Sequence, residues 1–72
     1  MEKFRIKDAR KAAGFSTQDQ LADVLNVKRA AVSKWETGAT YPKPTVLPLL
    51  AAKLNSSADE IIAAITAARN AV

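Results

Sequence analysis

Thr17-Gln18-Asp19-Gln20-Leu21-Ala22-Asp23-Val24-Leu25-Asn26-Val27-Lys28-Arg29-Ala30-Ala31-Val32-Ser33-Lys34-Trp35-Glu36-Thr37-Gly38 is the stretch that decides the fold. Its first four residues form a capping box, in which the Thr17 hydroxyl accepts from the third helical N–H while Gln20 reaches back to the cap. Leu21, Ala22, Leu25 and then Val27 supply the buried stripe of the helix that follows, and Asn26 can take the left-handed position that ends it. A second helix is predicted to begin at about Lys28 or Arg29, to carry Val32 and Trp35 inward and to stop before Gly38. Only two or three residues separate the two helices. So short a link forces a sharp reversal and holds them in a fixed relative orientation.

Working outward, residues 3 to 13 place Phe4, Ile6, Ala9 and Ala13 at helical spacing among charges, with Gly14 as a natural terminator. On the other side, Ala39-Thr40-Tyr41-Pro42-Lys43-Pro44 reads as a loop, because each proline disfavours helical geometry for the residue before it. A fourth helix carries Leu47, Leu50, Ala51 and Leu54, with Pro48 confined to its first turn and Asn55 at its end. Ser57-Ala58-Asp59-Glu60 is a second capping box, opening a fifth helix predicted over about 58–70 that buries Ile61, Ile62 and Ile65. The alanine-rich tail, Ala63 to Val72, favours its continuation. The pattern is all-α, with the tightly linked pair at about 17–37.

Seventy-two residues are expected to make one domain, 1–72, since a second core cannot be built from so short a chain. An apolar fraction of 49% with 25% charged residues is globular composition. The chain has no cysteine and no histidine, which excludes disulfides, Cys/His metal sites, cysteine nucleophiles and histidine acid–base chemistry. With seven acids and no room for a substrate-sized cleft, an enzyme is not expected, nor is a metal or other cofactor.

The net charge is +4 with a pI near 9.8, a balance that suits nucleic acid, anionic lipid or an acidic protein. Its placement is informative. Between residues 28 and 53, Lys28, Arg29, Lys34, Lys43 and Lys53 face Glu36 alone, so this segment carries charge equal to the whole net charge of the chain. No stretch approaches the roughly 18 apolar residues of a membrane span, and Met1-Glu2-Lys3-Phe4-Arg5 lacks the apolar run of a signal peptide. A cytoplasmic location is expected.

Three quoted stretches together, Arg5-Ile6-Lys7-Asp8-Ala9-Arg10, Thr17-Gln18-Asp19-Gln20-Leu21-Ala22 and Val27 through Gly38, resemble the phage repressor and Cro family of XRE-type helix-turn-helix proteins. Pro42, Leu50-Ala51, Leu54 and Asp59-Glu60-Ile61-Ile62 also stand where that family places such residues, so the likeness runs from about Arg5 to Ile62. It implies a five-helix, lambda-repressor-like DNA-binding domain with the helix-turn-helix at helices two and three. It also implies a transcription regulator that binds double-stranded operator DNA, usually as a homodimer, with the helix at about 28–37 in the major groove.

Carried over by position, Gln18 at the start of helix two would touch a phosphate or the base beside it, aided by the positive end of the helix. Lys28, Arg29, Ala30 and Ala31 would occupy the N-terminal end of the recognition helix, with Ser33 and Lys34 on its next turn and Lys43 against the backbone from the following loop. Arg29 suits guanine O6 and N7, Lys28 and Lys34 suit phosphates, and an alanine methyl can meet a thymine methyl. Arg10 and Glu36 resemble the family's structural ion pair between helices one and three. Leu21, Leu25, Val32, Trp35, Leu50, Leu54 and Ile61 are read as core. Phe4 and Tyr41 are read as packing residues, and Lys7 and Lys11 as solvated.

An alternative stands beside operator binding. The small helix tip of Ala30 and Ala31, flanked by Lys28, Arg29 and Lys34, is also a suitable docking surface for a protein. A small regulator in a phage lysogeny switch, or an antitoxin-like module, would then modulate a partner repressor through the same face, with weak DNA binding of its own. The tail offers Ile65, Ala68 and Val72 on one face, either to pack back on helix one or to meet a twofold mate.

Overall fold

A left-handed residue closes each of four successive helices, and these four closures set the path of the chain. The computed structural model describes residues 5–71, in which α1 spans Ile6–Ala12, α2 Gln18–Leu25, α3 Arg29–Thr37, α4 Leu47–Lys53 and α5 Ala58–Asn70. Gly14, Asn26, Gly38 and Asn55 carry positive φ, the region glycine enters freely and asparagine more readily than other side chains. Each brings the paired closing bonds of a Schellman turn. Phe15 N–H reaches Arg10 O at 3.0 Å, Val27 reaches Ala22 O at 3.0 Å, Ala39 reaches Lys34 O at 2.9 Å and Ser56 reaches Ala51 O at 2.9 Å.

The N-terminal ends follow the sequence equally closely. Thr17 Oγ1 accepts from Gln20 N–H at 3.2 Å while Gln20 Oε1 accepts from Thr17 N–H at 3.2 Å. Ser57 and Glu60 make the same reciprocal pair, at 3.1 and 2.9 Å. Pro48 lies in the first turn of α4, where its missing N–H has no intrahelical partner to lose. The fold is all-α, with five helices and no strand among the described residues.

One apolar cluster draws on every helix: Ile6 from α1, Leu21, Ala22 and Leu25 from α2, Val32 and Trp35 from α3, Leu50 and Ala51 from α4 with Leu54 at its end, and Ile61, Ala64 and Ile65 from α5. All seven residues read as core from the sequence are buried. Helix α3 is central, packing on α2, α5 and α1, and so its position is fixed from three sides.

Two details differ from the sequence reading. Helix α1 begins at Ile6, after an extended Arg5, rather than at residue 3, and Phe4 and Val72 lie outside the described residues. Ile62 is 41% exposed rather than buried. At 100° per residue it sits a quarter-turn from Ile61, whereas Ala64 and Ile65 return to the buried side; Ala64 takes the place that Ile62 was expected to fill.

Candidate nucleic-acid interface

Helix α3 has a sharp division of faces. Val32 and Trp35 point into the core, while Lys28, Arg29, Ala30 and Lys34 are exposed. Ala31 and Ser33 are half-buried, with Ala31 packed against the core. The outward tip of the helix is therefore Lys28, Arg29 and Ala30, followed one turn on by Lys34. Lys28 is the N-cap residue of α3 and its side chain makes no cap bond, so the first turn is left without a side-chain acceptor. A helix start of that kind, flanked by cations, favours an anion.

The start of α2 is tied to this tip. Gln18, first residue of α2, is half-buried, and both ends of its amide are engaged. Its Nε2 donates to Glu36 Oε1 at 2.8 Å, and its Oε1 accepts from Arg29 Nε at 3.4 Å. Glu36 in turn accepts from Arg10 Nε on Oε2 at 2.8 Å, in an ion pair whose side chains are only 4% and 8% exposed. Arg10 also donates from Nη1 to Phe15 O at 2.8 Å. A continuous polar line thus runs from a buried ion pair to the exposed guanidinium of Arg29. Among the described residues, no buried side-chain nitrogen or oxygen lacks a hydrogen-bond partner.

The far end of α3 is held differently. Arg69 of α5 donates from Nε to Gly38 O at 2.9 Å and from Nη2 to Ala39 O at 3.2 Å, and its guanidinium lies 5.0 Å from the centre of the Tyr41 ring. The Tyr41 hydroxyl meets Thr66 Oγ1 at 2.6 Å. This clamp fixes the start of the loop that carries exposed Lys43. Tyr41 is thereby a packing residue that keeps one face outward.

The sequence reading placed Gln18, Arg29 and the Arg10–Glu36 pair separately, and the structure joins them. The link from Gln18 to Glu36 crosses 18 residues and exists only because α2 docks on α3. Nor did the sequence single out Arg69. The only hint was a cation in the last turn of a C-terminal helix, which has no fixed partner in sequence.

A helix-turn-helix family model matches residues 6–61, from the first residue of α1 into the first turn of α5. The chain belongs to the helix-turn-helix family. Over 46 residues this helix-turn-helix chain is 41% identical to the HTH-type transcriptional activator BcrR of Enterococcus faecalis, an alignment that takes in 64% of the chain and 22% of that protein. The chain thus matches about a fifth of the length of that curated relative. No solved structure shows significant similarity to it. No helix among the described residues is long and apolar enough to cross a membrane.

Proposed function

We propose that the chain is a sequence-specific DNA-binding transcription regulator of Cro or repressor type, acting by binding rather than by catalysis. The observation that carries this reading is the exposed tip of α3. Lys28, Arg29, Ala30 and Lys34 face outward on a helix whose opposite side is locked into the core. A helix held in this way fits the major groove of B-DNA, where base edges present a distinguishable pattern of donors and acceptors. Lys28, Lys34 and Lys43 neutralise phosphates, and Arg29 reads a base edge. The name of the Enterococcus relative, a transcriptional activator, supports regulation of transcription as the outcome.

Dimensions support binding as a twofold pair. The molecule measures 28 × 22 × 19 Å, whereas successive major grooves on one face of DNA lie about 34 Å apart. Each copy presents a single outward-facing α3, so reading both grooves of a palindromic operator takes two copies. The partner under this reading is operator DNA.

The test is titration of the purified chain against the DNA upstream of its own gene and against an unrelated duplex of equal length, at two salt concentrations. Preference for the upstream DNA by roughly 10³-fold or more is the expected result. Weak, salt-sensitive binding with no preference overturns the reading and favours modulation of a partner repressor through the same helix tip.

A further inference from the structure

The polar line that starts at Arg10 ends at Arg29, and its direction is fixed at every link. Arg10 holds one oxygen of the Glu36 carboxylate, and the other accepts from Gln18 Nε2 at 2.8 Å. A glutamine amide has one donating end and one accepting end. With its NH₂ committed to the carboxylate, Oε1 faces the opposite way, toward Arg29 Nε. Turning the amide over would set its oxygen against a carboxylate and its NH₂ against a guanidinium N–H, two repulsive contacts. Chemistry therefore settles an orientation that is otherwise ambiguous.

We propose that the buried Arg10–Glu36 pair is a positioning device for base readout: through the Gln18 amide it occupies the Nε edge of Arg29 and leaves the Nη1/Nη2 end as the edge offered to a base. The inference rests on the DNA-reading function proposed above. A guanidinium carries five N–H donors in a planar fork. Of these, the Nε–H is taken by Gln18, and the four on Nη1 and Nη2 remain. Guanine O6 and N7 are the pair of acceptors that such an end matches bidentately. At 3.4 Å the Gln18–Arg29 contact is long for a hydrogen bond, so it steers the guanidinium rather than clamping it. Glu36 and Arg10 touch no DNA in this scheme. They are positioning residues, and a buried ion pair thereby acquires a role in specificity.

The test uses the full chain and a randomised duplex library to find the preferred site, then affinities for all four bases at the position where Arg29→Ala relaxes preference. Gln18→Met removes both ends of the amide at similar length from a half-exposed position. It is expected to lower guanine preference there about tenfold, within the range one bidentate pair supplies, while preference at other positions stays unchanged; loss of the Gln18 Nε2 bond to the buried Glu36 carboxylate lowers the melting temperature without unfolding the chain. Glu36→Gln leaves Gln18 in place but offers it an NH₂ instead of an oxygen, so the Gln18 amide turns over and the same preference falls. If Glu36→Gln does not fold, Gln18→Met decides alone.

Full guanine preference in Gln18→Met, or in a folded Glu36→Gln, overturns the proposal. So does equal weakening on every sequence in Gln18→Met, which would make Gln18 a phosphate contact only. A wild-type chain whose base preference is untouched by Arg29→Ala overturns the positioning of Arg29 but leaves DNA recognition standing. A wild-type chain with no base preference anywhere overturns DNA recognition itself.

Discussion

Arg69 donates from Nε to the carbonyl oxygen of Gly38 at 2.9 Å, joining the last turn of α5 to the end of α3 across 31 residues. The contact places a cation at the negative end of the α3 dipole, where unpaired carbonyls need donors. Arg69→Ala removes this bond, the second one to Ala39 O and the stacking on Tyr41. Bonds to a charged donor and a cation–π contact are each substantial, but the side chain is largely exposed, so a loss of about 1 to 2 kcal/mol is expected. Urea melts with unchanged slope and a lowered midpoint would register it. Arg69→Lys should recover only part, because an ammonium lacks the planar fork. A midpoint equal to wild type in Arg69→Ala would show that the clamp contributes nothing to stability.

Gly38 and Gly14 offer a controlled comparison. Both have positive φ, +82° and +96°, so an alanine at either position is strained by about 1 to 2 kcal/mol. Their surroundings differ. A Cβ at Gly14 meets nothing within 4 Å, whereas one at Gly38 would lie 2.6 Å from Arg69 Cα and overlap the backbone of α5. Gly14→Ala should therefore cost only the conformational strain. Gly38→Ala should cost the strain together with an overpacking penalty of about 1 to 3 kcal/mol. Equal loss of stability in the two variants would mean that α5 yields readily at Arg69.

The sequence announces the helix ends more plainly than the links between helices. Caps and left-handed closures are local: Thr17 and Gln20, or Ala22 and Asn26, stand within a few residues of one another, and their chemistry needs no tertiary context. The core was legible for the same reason, since Leu21, Val32, Trp35 and Ile61 follow helical spacing. Ile62 misled because neighbouring isoleucines carry equal hydrophobicity, and only docking on α4 and the rest of the core decides which one turns inward. The Gln18–Glu36 bond and the Arg69 clamp join residues 18 and 31 apart. Polar side chains with several acceptable partners leave no periodic signal of that kind.

Glu36→Ala should be far more damaging than loss of an exposed charge. It strands Arg10, 3% exposed, without its carboxylate, and breaking one side of a buried pair costs about 3 to 5 kcal/mol. Replacing both partners together, as Arg10→Met with Glu36→Leu, should return much of that loss, because no uncompensated charge stays buried. Thermal melts of the two single variants and the double variant form a cycle that measures the coupling. A double variant whose loss equals the sum of the single losses would mean that the two side chains are uncoupled and that Arg10 is held chiefly by its bond to Phe15 O.

Salt dependence separates the cations of the reading face from the rest. Lys34 is exposed one turn beyond Arg29, and Lys43 is exposed in the loop after α3. Each phosphate contact contributes about 0.9 to the slope of log affinity against log salt. Lys34→Ala and Lys43→Ala should each lower that slope by about one and weaken binding alike on specific and unrelated DNA. Lys11 is the matched control: it is exposed on α1 and lines the same groove as Glu36 and Thr37, the last residues of α3, and removing it changes net charge by the same unit. Lys11→Ala should leave the slope within a few tenths of wild type, since Lys11 belongs to α1 and makes no phosphate contact in the proposed docking, and counterion release counts the phosphates neutralised. A slope reduced as much by Lys11→Ala as by Lys34→Ala would mean that the DNA lies across α1, and would displace the N-terminal tip of α3 from the interface.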